Sequence, residues 1–218
     1  MSTSKFAAPK AGTRSGSNTR TLLGALALSG PLWTVVSLAQ AATREGFDLT
    51  RHPLSMLSVG SLGWLQITNF IVAGVLAILG AFGLKQAIPS RWAPRLVIIY
   101  GIGYILSGVF VMQPGDGFPA GTPLGNPGPL AWHTVVHLIV GTIAFIALTA
   151  VLFVLGRYFA LHGERGWAWG ARAAAIGVIV ANVLSSAQVL APSVVLAVGV
   201  IAGMLFLSLI AVKLRRDV

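Results

Sequence analysis

Two histidines, His133 and His137, stand four residues apart near the start of a long apolar run. Residues at positions i and i+4 lie on one face of a helix, so both imidazoles are expected to point the same way. An ionisable side chain inside a bilayer costs free energy, and such residues usually mark a functional site. The pair is therefore the first candidate for chemistry in this chain.

Other residues between the apolar runs would suit metal-dependent hydrolysis. His52 would be a third nitrogen ligand beside His133 and His137, and zinc is the metal that takes three such ligands together with a water. The candidates for a catalytic role are Asp48, Ser55 and Asp116. Either carboxylate could also be a fourth ligand or the base that acts on the water.

The residue spacing leaves three interpretations of this cluster open. The usual zinc signature HExxH has a glutamate after its first histidine, whereas this chain has Thr134. The residues could hold a metal, form a metal-free binding pocket, or only fix the loops through hydrogen bonds. Gln66 and Asn69, three residues apart, are candidates for lining such a pocket, although polar residues in membrane helices more often bond between helices.

The composition of the chain is that of an integral membrane protein. Hydrophobic residues make up 56% of the 218 residues and charged residues only 9%, against about 25% charged in soluble domains. The chain has no cysteine, which excludes disulfides and thiolate metal sites. The net charge of +10 comes from basic residues between apolar runs, where they set membrane orientation, so no nucleic-acid partner is expected.

The predicted fold class is all-α, a polytopic bundle of six transmembrane helices forming one domain over residues 21–216. Each apolar run is long enough to cross a bilayer. The predicted spans are about 21–41, 62–84, 96–113, 129–159, 167–190 and 193–214. Residues 1–20 are polar and are predicted to be a disordered cytoplasmic tail. Ala39-Gln40-Ala41 resembles a signal-peptide cleavage site, but the preceding run is longer than such peptides have, so we expect it to be retained.

The basic residues predict the orientation of these spans. With both termini cytoplasmic, every lysine and arginine except Arg44 and Arg51 falls on the inner side. The candidate residues then gather at the extracytoplasmic face, since they come from two outer loops and one helix start.

Several short motifs occur in a fixed order along the chain. They are residues 51–58 (RHPLSMLS), residues 63–66 (GWLQ), Asn69-Phe70, Gly108-Val109-Phe110, Gly117-Phe118-Pro119, and Trp132-His133 with His137. Together they resemble the bacterial membrane family called "domain of unknown function 998", over about residues 20–215. The resemblance implies a multi-pass protein of a bacterial inner (plasma) membrane with no assigned activity. Members carry an acid directly before the loop proline, whereas this chain has Gln113 there and its acid at Asp116.

These features indicate an integral membrane protein with an extracytoplasmic His/Asp pocket that engages a lipid or another amphiphile. The alternatives are a metal-dependent membrane hydrolase, for which zinc would be the cofactor, and a proton-coupled transporter or a structural subunit. The expected partners are the lipid bilayer and an amphiphilic ligand. The sequence does not define an oligomeric state.

Overall fold

The computed structural model describes residues 12–125, 128–189 and 191–218, and it confirms the all-α fold class. The α-helices are α1 (Gly12–Thr43), α2 (Gly63–Ala87), α3 (Trp92–Val109), α4 (Trp132–Leu161), α5 (Arg165–Ser186) and α6 (Pro192–Asp217). A short 3-10 helix, Leu54–Ser58, lies in the loop between α1 and α2. All six α-helices are long and apolar enough to cross a membrane.

The ends of the helices differ by several residues from the predicted spans. α1 begins at Gly12, so residues 12–20 are helical, although they belong to the stretch predicted as a tail. Residues 1–11 of that predicted tail lie outside the described residues. α3 begins at Trp92 because Pro94 stands in its first turn, where a proline removes no helical hydrogen bond.

The helices form a closed ring in chain order. Each helix packs against the next one, and α6 packs against α1. Successive helices are antiparallel, so residues 44–62, 110–125, 128–131, 187–189 and 191 lie at one end of the ring, called the histidine end below. Residues 88–91 and 162–164 lie at the other end, called the basic end.

Glycines bring neighbouring helices into backbone contact at defined points. A Cβ atom added to Gly101 of α3 would lie 2.7 Å from the carbonyl oxygen of Gly74 in α2, and one added to Gly74 would lie 2.5 Å from that of Gly101. Gly156 of α4 has the same kind of contact with Ala168 of α5, close to the basic end. Small residues at these crossings therefore determine where neighbouring helices approach each other most closely.

The centre of the ring is filled towards the basic end. Leu148, Leu152 and Leu155 of α4 are fully buried there, and Met204 and Leu207 of α6 are almost so. Towards the histidine end the centre of the ring instead contains a cavity. The interior of the ring is therefore filled by side chains towards the basic end and contains a cavity towards the histidine end.

Candidate functional site

An ion pair between Arg51 and Asp116 joins the two long loops of the histidine end. The guanidinium donates from Nη2 to Oδ1 at 2.7 Å and from Nε to Oδ2 at 3.1 Å, which is a two-point contact. The backbone N–H of Gly125 donates to the same carboxylate at 2.8 Å. The Arg51 side chain, and then this N–H, lower the pKa of Asp116 to about 2.

His52 joins the same two loops with both of its ring nitrogens. Nδ1 accepts the backbone N–H of Asp48 at 3.0 Å, and Nε2 lies 2.8 Å from the carbonyl oxygen of Asp116. Since a carbonyl only accepts, Nε2 must carry the proton. The ring is 1% exposed and lies between Phe47 and Phe118. His52 therefore has no free nitrogen to offer a ligand.

Arg44 ties the end of α1 to both loops. Its guanidinium donates to the carbonyl oxygens of Leu57 at 3.0 Å and Val59 at 2.7 Å. It also lies 5.1 Å from the centre of the Phe118 ring, a favourable cation–π distance. Arg44 and Arg51, the two basic residues on the predicted outer side, thus hold the loop structure together.

His133 and His137 hydrogen-bond to the end of α3. Nδ1 of His133 lies 2.7 Å from the carbonyl oxygen of Val111. Nδ1 of His137 lies 2.7 Å from that of Phe110 and 3.0 Å from that of Ser107. The last carbonyls of a helix lack partners within it, so the two imidazoles satisfy acceptors at this end. Their spacing of four residues lets one face of α4 reach successive carbonyls.

The predicted ligands His52, His133 and His137 are not assembled into a metal site. Within the described residues, no group of three histidine, aspartate, glutamate or cysteine side chains is placed to hold a metal ion. The predicted base is weak as well, because Thr50 donates from its N–H and its hydroxyl to Asp48 and lowers the pKa of that carboxyl. A carboxylate with a depressed pKa takes a proton from water poorly.

Gln66 and Asn69 bond between α1 and α2 and are not among the residues that line the cavity described below. Oε1 of Gln66 accepts from Gln40 Nε2 at 2.8 Å, and its Nε2 donates to Ser37 Oγ at 3.0 Å. Asn69 Nδ2 donates to the carbonyl oxygen of Trp33 at 3.1 Å. Both amides are buried, so these bonds contribute to helix packing.

The cavity at the histidine end of the ring has a volume of about 400 Å³. Ser55 and His137 line it, whereas Asp48, His52, Asp116 and His133 do not. Beside the loops the lining is mostly polar, with Arg51, Ser55, Ser185, Ser186, Gln188 and Ser193 next to Pro53, Leu54 and Pro192. Deeper in the bundle it is mostly apolar, with Phe70, Phe145, Leu196, Ala197 and Val200, although Tyr104, Thr142 and Asn182 also lie there. The cavity therefore has a mixed lining in which polar groups are more frequent beside the loops.

Some residues that line the cavity are also exposed. They lie on α4 and α5 (Leu138, Thr142 and Ser186) and beside the loops (Arg51 and Gln188). The two helices approach closely at Gly156, nearer the basic end. On these two helices the exposed lining residues therefore lie nearer the histidine end than the close contact at Gly156 does.

Four aromatic rings form the floor of the cavity. Trp33 lies 5.9 Å from Phe70 and 5.8 Å from Tyr104 between ring centres, and His137 lies 6.0 Å from Phe70. Trp33 is buried, and its Nε1–H has no hydrogen-bond partner in the described part of the chain. Trp33 is not among the residues that the sequence pattern singles out. Its only signal was a position well inside the first span, away from the ends where tryptophans anchor membrane helices.

Comparison with known proteins identifies a family but no characterised relative. The family model described as "Protein of unknown function (DUF998)" matches residues 27–213. No curated protein and no solved structure matches the chain significantly. The matched segment includes all the residues that line the cavity. The chain thus belongs to the DUF998 family of membrane-spanning proteins, as its sequence motifs predict.

Proposed function

We propose that this protein binds a lipid or another amphiphile in the cavity at the histidine end. The observation that carries the proposal is the mixed lining, in which polar groups are more frequent near the loops and apolar groups more frequent in depth. The volume of about 400 Å³ falls within the roughly 300–1,000 Å³ of small-molecule sites. A ligand with a polar head and an apolar chain would match both parts.

Exposed lining residues on α4 and α5 support entry from the bilayer. An amphiphile concentrates in the membrane, so it would reach Leu138 and Thr142 without first crossing water. The polar lining lies at the helix ends, where lipid headgroups stand. The distribution of basic residues favours placing this end at the extracytoplasmic face of a bacterial plasma membrane.

Binding is a better supported function than hydrolysis. The three histidines are not gathered around one point, and hydrogen bonds depress the pKa values of Asp48 and Asp116. Ser55 lines the cavity, but the described residues give its hydroxyl no hydrogen-bonded base, which a serine nucleophile needs.

A cavity-filling substitution tests the proposal. Ala197 of α6 lines the cavity, whereas Ala202 of the same helix is exposed, so Ala197→Phe and Ala202→Phe form a matched pair. We expect native mass spectrometry from nanodiscs to find a bound amphiphile on the wild type and on Ala202→Phe, but not on Ala197→Phe. Equal amphiphile retention by the two variants, both with wild-type circular dichroism, would refute it.

A further inference from the structure

The basic end of the ring carries many cations and few acids. Of the five acidic residues in the chain, only Glu164 and Asp217 lie at this end, and Lys213 Nζ binds both, at 3.0 Å and 2.7 Å. The exposed arginines of this end therefore form no ion pair with a carboxylate in the described part of the chain. They include Arg91 and Arg95 at the start of α3, Arg165 of α5 and Arg216 of α6.

Two of these arginines lie beside one exposed tryptophan. Arg91 Cζ lies 5.4 Å and Arg95 Cζ 5.7 Å from the centre of the Trp92 ring, which are cation–π distances. Trp92 is 51% exposed, and neither guanidinium donates a hydrogen bond to another described residue. The ring thus restricts the positions of two guanidiniums whose N–H donors remain available to a ligand.

The position of this cluster in the fold indicates which anion it would meet. Trp92 begins α3 at the basic end, and exposed tryptophans at the ends of membrane helices lie at the level of the lipid headgroups. The phosphate of a phospholipid stands at the same level, and guanidinium groups bind phosphate oxygens through paired N–H donors. A zwitterionic headgroup brings its own cation beside the phosphate, whereas an anionic headgroup does not. The surplus of positive charge therefore favours an anionic phospholipid.

We propose that Arg91, Trp92 and Arg95 form a binding site for the phosphate of an anionic phospholipid. The two guanidiniums donate to the phosphate oxygens, and the indole holds both of them at the headgroup level. The orientation predicted from the basic residues would place this site in the cytoplasmic leaflet, whose anionic lipids attract basic segments. The site lies at the opposite end of the bundle from the cavity and does not depend on the function proposed above.

The test compares two lipid probes with the same acyl chains, phosphatidylglycerol and phosphatidylcholine, by native mass spectrometry of the detergent-purified protein. We expect the wild type to bind phosphatidylglycerol about tenfold more tightly. The double variant Arg91→Gln/Arg95→Gln should weaken phosphatidylglycerol binding about tenfold, to the level of phosphatidylcholine. Inorganic phosphate, added at constant ionic strength, should not displace the lipid, because it has no acyl chains to pack against the helices.

A second double variant, Arg165→Gln/Arg216→Gln, is the matched control. It removes the same charge from the same end, but on α5 and α6, whereas α3 packs mainly against α2 and α4. It should change phosphatidylglycerol binding by less than about twofold, because screening weakens distant charges. Trp92→Leu should weaken binding about threefold through loss of the cation–π contacts, whereas Trp64→Leu, at an exposed tryptophan of the histidine end, should not.

Three results would overturn the inference. Equal affinity of the wild type for the two lipids would do so, and this arm needs no variant to fold. An equal loss of phosphatidylglycerol binding in the two double variants, both with wild-type circular dichroism, would show that the whole basic end attracts anionic lipid without a site at Trp92. Displacement of the lipid by inorganic phosphate would show that the ligand is a free anion.

Discussion

His52 is a single residue on which two loops depend. Its ring nitrogens bond the N–H of Asp48 and the carbonyl of Asp116 in a buried position. We expect His52→Ala to lower the free energy of unfolding by about 1–3 kcal/mol, because it removes two hydrogen bonds and leaves the buried N–H of Asp48 without its acceptor, while the Asp116 carbonyl keeps its bond from Arg51. Denaturant unfolding in detergent, followed by circular dichroism, measures this. His162→Ala, at an exposed residue of the basic end, is the control; equal unfolding free energies for the two variants would contradict the role of His52.

Asp116 should make stability depend on acidity. Its pKa is lowered from 3.8 to about 2 in the folded protein. A depressed carboxyl pKa adds stability that is fully present above the unfolded value and is lost as the pH falls through the folded value. We therefore expect the thermal midpoint to drop between about pH 4 and about pH 2, and Asp116→Asn to reduce this drop. Some drop should remain, because the pKa of Asp48 is also lowered.

The control for Asp116→Asn is Glu45→Gln, which changes an exposed acid of the same end of the bundle. Thermal unfolding from pH 2 to pH 6 would compare the two variants with the wild type. If both variants keep the full acid-dependent drop, the Arg51–Asp116 contact does not account for it.

At the scale of helices and loops, hydropathy predicts the six spans because crossing a bilayer demands a minimum apolar length. It predicts helix ends less well, because local features decide them, as Pro94 does at the start of α3. The shared face of His133 and His137 follows from helical periodicity, but their partners just after α3, Val111 and Phe110, depend on tertiary packing. The cavity depends on how the six helices pack at the histidine end, and no residue pattern encodes that packing.

The crossing of α2 and α3 depends on two glycines in backbone contact. A Cβ at Gly101 would lie 2.7 Å from the carbonyl oxygen of Gly74, which cannot move without shifting the helix. We expect Gly101→Ala to lower the free energy of unfolding by about 1–3 kcal/mol, the usual cost of overpacking. Gly177→Ala, where a Cβ would meet nothing within 4 Å, is the control and should be neutral or stabilising. An unchanged free energy of unfolding for Gly101→Ala would show that α2 and α3 can move apart here without loss of stability.

On the scale of the whole molecule, the basic residues predict that the histidine end is extracytoplasmic. The chain has no cysteine, so single cysteines can be labelled without background. Ser61 at the histidine end and His162 at the basic end are exposed. We expect an impermeant maleimide to label Ser61→Cys on intact cells and His162→Cys only after permeabilisation. The reverse labelling pattern would show that the histidine end is cytoplasmic and contradict the predicted orientation.

The seam between α1 and α6 closes the ring without a connecting loop. Ser208 Oγ donates to the carbonyl oxygen of Leu26 at 3.3 Å, and Gly24 lies against the Arg215 guanidinium. A Cβ at Gly16 would lie 3.6 Å from the carbonyl oxygen of Val218, so the first and last described turns meet. Packing, not chain connectivity, therefore makes the ring, and a circular permutant joined across this seam and opened in the loop before α6 would keep every helix contact.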